Sequence, residues 1–312
     1  MSAGAQPNFA PGASGAATPT IPQAVTRRYR GGPRRILGGL KSAPFLVLLA
    51  LISILSVYPF IWLISASFKP QSDVFDNRII PEVWAWNYDD VFAIAPVATW
   101  FFNSVWISGL GALLVVLSSS FVAFSFAYFR FPGRGALFAL ILATMMLPTA
   151  VTMIPVYLIW NELGLVNTQY PLWVPNLFGS AFYIFLLRQF FLGIPRDYFE
   201  AARMDGDNYW TMFWRIAMPL AKPALIVVFI FEIQAKWFDL MTPLIYLRDS
   251  ALFTLPLGLK TILDQFGQGG GGQGEWQIII AGTVLTVLPM LILFAIFQRA
   301  FVHGIATQGR KG

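Results

Sequence analysis

The sequence predicts an all-α protein, a polytopic transmembrane helical bundle of six spans with a pair of short cytoplasmic helices between the fourth and fifth. Three observations point there. Of the 312 residues, 57% are hydrophobic and 12% charged, which is about half the charged share of a soluble domain. Uncharged stretches repeatedly reach the roughly 20 residues that a helix needs to cross the hydrocarbon core. Lys and Arg gather on alternate connections between those stretches, and this bias is what fixes orientation in a bilayer.

In chain order, residues 1–41 read as a cytoplasmic tail. Residues 1–26 are uncharged and rich in Ala, Gly, Pro, Ser and Thr, so they cannot bury a core and are expected to be disordered. They lack the charged start and apolar run of a cleaved signal peptide, and are expected to stay on the mature protein. Arg27, Arg28, Arg30, Arg34, Arg35 and Lys41 then form a basic anchor. The six-span domain is expected over 42–303. Five uncharged stretches supply spans: Ser42 to Phe68, Val91 to Phe129, Gly135 to Asn161, Leu163 to Leu187, and Gln277 to Gln298. The second contains an amphipathic lead-in, Phe92 to Trp100, and counts once because no turn signal divides it. A sixth span, from about Pro223 to Tyr246, is apolar except for Glu232, Lys236 and Asp239. The Gly-rich connector between Phe266 and Trp276 reads as a passive external linker, and 304–312 as a short cytoplasmic tail.

With the N-terminus inside, sixteen Lys and Arg residues fall on the cytoplasmic side. They are the six of the anchor, Arg130 and Arg134, the set Arg188, Arg196, Arg203, Arg215 and Lys222, and finally Arg299, Arg310 and Lys311. Four fall outside, namely Lys69, Arg78, Arg248 and Lys260. The formal charge of +6 therefore reflects topology, and nucleic acid is not an expected partner. The absence of cysteine excludes disulfides, thiolate zinc sites and thiol catalysis. A single His303, read as a solvated tail residue, leaves no imidazole cluster for a metal and no histidine-based triad. No Gly-x-x-x-x-Gly-Lys-Ser/Thr loop is present, so the chain carries no nucleotide loop of that kind. No set of nucleophile, base and oxyanion donors is apparent, and a membrane-embedded enzyme ranks last.

The polar segment 193–222, between the fourth and fifth spans, organises the rest. It contains Glu200-Ala-Ala-Arg-Met-Asp-Gly206 and then Ile216-Ala-Met-Pro219. Pro195 suits a first helical turn, and Asp197 and Glu200 favour the positive end of a helix. Ala201 and Ala202 leave one side almost bare, and Asp205-Gly206-Asp207 is turn chemistry. Asp207 is expected to cap a second helix with Tyr209, Met212, Phe213 and Ile216 on one apolar face, until Pro219 and Pro223 interrupt it.

This segment resembles the signature of the permease subunits of ATP-binding-cassette (ABC) importers: Glu-Ala-Ala, three residues, Gly, nine residues, Ile, one residue, Leu, Pro. Met218 stands in place of the Leu. Tyr58-Pro-Phe-Ile-Trp62, Ser67-Phe-Lys-Pro70, Asn87-Tyr88, Phe102-Asn-Ser104, Phe129 to Arg134, Pro155-Val-Tyr157, Leu163 to Thr168 and Leu186 to Phe191 are similar to the sugar-importing, maltose-type branch. Two stretches depart from it: Trp237-Phe-Asp-Leu240, where relatives usually carry Trp-Asn before an acid and Phe, and the closing Gln308 to Gly312.

The resemblance implies a non-catalytic subunit that binds no cofactor and leaves ATP to a partner. It implies a second homologous permease, two copies of a cytoplasmic ABC ATPase, an extracytoplasmic solute-binding protein and a sugar substrate. The location it implies is a bacterial or archaeal cytoplasmic (inner) membrane, crossed several times with both termini inside. Glu200, Ala201, Ala202, Asp205, Gly206, Ile216 and Pro219 would couple the chain to the ATPase.

A polyol or glycerol phosphate as substrate remains open, as does an ion-coupled secondary transporter. The latter would rest on Glu232, Lys236 and Asp239, because charges inside a span are costly and usually functional. Trp237, with Asp239, Lys236 and Glu232, is the candidate substrate pathway, since an aromatic face beside a carboxylate suits a sugar's C–H face and hydroxyls. The plainer alternative pairs Glu232 with Lys236 across one helical turn, packs Trp237 against a neighbouring helix, and lets Asp239 neutralise Lys236.

Overall fold

In a computed structural model of the chain, residues 34–267 and 274–306 are described, with side chains over 44–267 and 274–298. The 1–26 tail, Arg27, Arg28 and Arg30, the middle of the Gly-rich connector and the closing Gln308 to Gly312 lie outside the described residues, as do the side chains of the rest of the anchor and of His303. Contacts divide the chain after Ser56. The described part of the first unit, 34–56, is the beginning of the first helix, and the features from Val57 onward belong to the second unit. Every regular element among the described residues is helical.

α1 (Arg34–Ala66) carries an apolar stretch, Pro44–Ala66, long enough to cross a membrane. Beyond it the chain is knotted by polar groups. The Asn87 amide donates to the carbonyls of Ser67 (2.8 Å) and Lys69 (2.9 Å). Lys69, read above as one of the external cations, is 1% exposed, and its ammonium donates to the carbonyls of Asp76 (2.6 Å) and Arg78 (2.7 Å). A buried ammonium is tolerable only with such partners.

α2 (Tyr88–Ile94) is separated from α3 (Val97–Tyr128) by Ala95, which is extended before Pro96. A residue before proline is pushed out of the helical region, so the expected lead-in, Phe92 to Trp100, is divided: Phe92 to Ile94 end α2 and Val97 to Trp100 open α3. α3 is the central element. Small residues on its buried side, including Ser104, Ser108, Gly111, Ala112, Ser119 and Ala123, let neighbouring helices approach closely, as membrane packing favours.

Three further expected spans are not continuous helices. The Gly135 to Asn161 stretch forms α4 (Arg134–Thr144) and α5 (Thr149–Glu162), bent by 95°; Pro148 ends the first by excluding Leu147 from helical geometry. The Leu163 to Leu187 stretch begins with a loop in which Gly164 and Asn167 take positive φ. Its helical part starts later, as α6 (Tyr170–Trp173), a 3-10 turn (Val174–Phe178) and, beyond Gly179 at φ +79°, α7 (Ala181–Leu192).

Next come α8 (Asp197–Met204), α9 (Tyr209–Met212), a π turn (Phe213–Ala217) and α10 (Met218–Leu220). The expected Pro223 to Tyr246 span is α11 (Lys222–Trp237) followed by a separate α12 (Met241–Tyr246). Pro243 could not donate to the Asp239 carbonyl and its ring would clash there, while the Asp239 carboxylate accepts from the Thr242 N–H at 3.0 Å. α13 (Leu255–Phe266) and α14 (Trp276–Ala306) complete the order. Four helices among the described residues are long and apolar enough to cross a membrane, and six if each bent pair counts as one.

Broken backbone within an apolar bundle needs substitute partners, and α3 supplies them. Ser118 Oγ donates to the Asn176 carbonyl (2.8 Å), Ser119 Oγ accepts from the Ser180 N–H (3.1 Å), and Asn176 Nδ2 donates to the Gly111 carbonyl (3.1 Å). At the start of α3, Trp100 Nε1 donates to Ser250 (2.8 Å) and Asn103 Nδ2 to Ala251 (2.9 Å), while the Asn167 N–H donates to Tyr246 (2.8 Å). The connections expected to lie outside therefore meet at one end. The end of α3 meets α7, α8 and α9 in the largest buried apolar cluster.

Candidate functional site

The 193–222 segment folds as two short helices docked on that cluster. α8 has Arg196 as its N-cap, so Pro195 precedes the helix instead of opening it. Phe199 and Ala202, three apart, point inward and are buried; Ala202 is small enough to seat the helix tightly. Glu200, Ala201, Met204 and Asp205 are exposed, Met204 at 89%. An apolar side chain held out to that extent is surface without a partner among the described residues. The i, i+3 spacing of Phe199 and Ala202 implies that Met204 faces outward, yet reading the segment by its signature letters missed it.

The turn is closed by backbone. Gly206 takes φ +88°, its N–H donates to the Arg203 carbonyl (3.1 Å), and the Asp207 N–H donates to the Ala202 carbonyl (2.9 Å). This pair of bonds defines the Schellman C-cap. A Cβ on Gly206 would meet nothing within 4 Å, so the constraint there is conformational and not spatial.

The second helix differs from expectation in two respects. Its cap is Asn208 and not Asp207, with Oδ1 accepting from the Thr211 N–H at 2.8 Å. It also runs through Pro219 to Leu220. The wider i→i+5 bonding of the π turn just before accommodates a residue without an N–H, and shifts the inward face to Met212, Phe213 and Ala217, with Ile216 half-buried and Pro219 exposed. Phe213 stacks on Phe121 of α3 at 4.5 Å between centroids, Trp210 stacks there at 5.4 Å, and Phe199 lies 6.0 Å from Phe124. Ala221, fully buried, then turns the chain by 77° into α11.

The candidate pathway residues lie along α11 and just beyond it, and the structure does not pair them with each other. Buried Glu232 accepts from Asn176 Nδ2, while Lys236 Nζ donates to the Leu172 carbonyl (2.8 Å). No Glu232–Lys236 ion pair exists among the described residues. The i, i+4 spacing permits one, but the Asn176 side-chain amide and the Leu172 carbonyl compete successfully. Trp237 is buried, donates through Nε1 to the Thr286 carbonyl (2.9 Å), and meets Phe101 edge-on at 5.7 Å. Its aromatic face is thus covered by this chain. Asn176, a lone amide in an apolar run, is the polar residue that sequence reasoning overlooked.

Helices able to cross a bilayer, with an amphipathic pair docked at one end, define a multi-pass membrane protein. The family described as "Binding-protein-dependent transport system inner membrane component" matches residues 116–307. The chain is 36% identical over 269 residues to the arabinooligosaccharides transport system permease protein AraQ of Halalkalibacterium halodurans, covering 84% of this chain and 94% of that one. It is 30% identical over 258 residues to the lactose transport system permease protein LacG of Rhizobium radiobacter, covering 82% and 92%. Its fold is similar to a crystal structure of a bacterial ABC transporter involved in the import of the acidic polysaccharide alginate, with a TM-score of 0.72, 24% identity, and coverage of 90% of this chain and 99% of that one. The chain therefore belongs to the binding-protein-dependent inner-membrane permease family. It is a non-catalytic component of a transport system whose ATPase is a separate subunit and whose solute arrives on a binding protein. This membership sets aside the ion-coupled alternative.

Proposed function

We propose that this permease imports a carbohydrate, and that residues 193–222 couple it to the ATPase. The substrate class is supported by the printed names of its relatives, arabinooligosaccharide and lactose permeases. One observation carries the coupling role: α8 exposes Glu200, Ala201, Met204 and Asp205 while Phe199 and Ala202 fix it to α3. A push on that surface reaches α11 through the buried bend at Ala221. In this reading Ile216 and Pro219 shape the second helix, and Gly206 sets the angle between the two. Glu232, Lys236 and Trp237 act on the pathway through α11, by tying it to the 172–176 stretch and α14, and Asp239 acts just beyond it, by holding the Thr242 N–H at the start of α12.

The working complex pairs this chain with a second homologous permease, two ATPase copies and an extracytoplasmic binding protein, in a bacterial or archaeal cytoplasmic membrane. Both termini and the coupling segment face the cytoplasm, consistent with the sixteen Lys and Arg residues read on that side. The six-span domain is 42–303. Uptake of labelled arabinooligosaccharide and lactose into vesicles holding the whole complex tests this. ATP-dependent uptake of a carbohydrate is expected; uptake of neither, with a polyol or glycerol phosphate transported instead, would overturn the substrate class.

A further inference from the structure

Beside the docked pair, three guanidiniums open onto one cavity. Arg130, in the connection after α3, Arg196, at the start of α8, and Arg203, in its last turn, line a space of about 400 Å³ together with Glu200, Tyr128 and Tyr209. Among the described residues none of the three has an ion-pair partner, and Arg203 lies 6.0 Å from the Tyr209 ring. Three cations against one carboxylate leave the cavity positive. Guanidinium forks match the paired oxygens of a phosphate better than any other common group.

A second cavity of about 120 Å³ shares Tyr128, Arg196 and Phe199 with the first and is otherwise lined by Phe124, Ala127, Phe191, Leu192 and Ile194. It lies between the ends of α3 and α7, where spans leave the apolar bundle. A free organic phosphate would use only the charged part. An amphiphile with a phosphate next to an acyl chain would use both.

We propose that this composite cavity binds an anionic phospholipid, with its phosphate between Arg130, Arg196 and Arg203 and the start of a chain among Phe124, Phe191 and Leu192. Such a lipid bridges α8 to the 129–134 connection and so holds the coupling pair against the bundle. The negative surface of the cytoplasmic leaflet draws basic side chains to it. Only the choice of leaflet rests on the orientation proposed above, and lipid retention does not, so the two can fail separately.

The test is native mass spectrometry of the whole complex after exposure to phosphatidylglycerol or phosphatidylcholine, with and without inorganic phosphate. Wild type is expected to retain phosphatidylglycerol over phosphatidylcholine by about fivefold or more, and added phosphate should not displace it. The combined variant Arg130→Gln, Arg196→Gln, Arg203→Gln should lose the preference, and the corresponding three Lys substitutions should keep part of it. Equal retention of both lipids by wild type, or an unchanged preference in the Gln variant, overturns the proposal. Displacement by inorganic phosphate assigns the site to a soluble anion and overturns the lipid. If the Gln variant does not assemble, phosphatidylglycerol carrying a photoreactive group near its phosphate decides on unaltered protein: labelling of Tyr128 or Arg196 peptides supports the site, and labelling elsewhere alone overturns it.

Discussion

Ala202 and Glu200 sit two residues apart on one short helix and do opposite things, one facing the cluster under α8 and the other facing away. Ala202→Leu would force extra volume into packed surroundings, at a cost of about 1–3 kcal/mol, and lift α8 from α3. We expect it to lower transport and thermal stability together. In the proposed coupling role Glu200→Ala removes one charged contact to the ATPase, so it should weaken ATPase retention, while the chain loses only the small helix-end stabilisation of a first-turn acid, about 0.3–1 kcal/mol. Parallel thermal-shift and co-purification measurements separate the two; a stability loss in Glu200→Ala as large as that of Ala202→Leu would contradict its outward role. Asn208→Ala removes a helix cap worth about 1 kcal/mol. It should give a partial loss of coupling that Asn208→Ser restores.

At the scale of elements, the docked pair was legible because its signals are local: acidic residues at a helix start, a Gly turn and an apolar face. Asp207 and Asn208 offer the same capping chemistry one residue apart, so the cap itself was not decided by type. The broken spans were less legible. Hydropathy counts apolar residues and is blind to where Pro148, Gly179 and Pro243 divert the backbone, and to which serine of α3 repairs the gap. Trp237 shows the same limit, since an aromatic beside charges reads as a binding surface until its partners Thr286 and Phe101 are placed. Trp237→Ala should cost about 3–5 kcal/mol of packing and reduce assembled complex. Among complexes that do assemble, the ratio of uptake rates for two sugars should stay at the wild-type value; an altered ratio would place Trp237 in contact with solute.

For the whole molecule, the proposed orientation rests on charge; Arg130, Arg196 and Arg203, all three read as cytoplasmic, line one cavity. Reporter fusions after Lys69, Arg134, Leu165, Gly206 and Gln268 should read outside, inside, outside, inside and outside. The family was legible because the segment between the fourth and fifth spans carries fixed letters at fixed spacings, whereas the solute was not, because Trp237, the aromatic that suggested a binding face, is buried against Thr286 and Phe101. Coupling itself depends on position. A Cβ at Gly206 would meet no atom within 4 Å, so Gly206→Val acts by driving φ out of the left-handed region, at about 1 kcal/mol or more, and swinging α9 relative to α8. The decisive measurement is therefore transport, ATP hydrolysis and ATPase co-purification, made together on Gly206→Val complexes that insert in the membrane. We expect no transport, with the ATPase either released or hydrolysing ATP unproductively; normal transport tied to normal hydrolysis would contradict the coupling role of this segment.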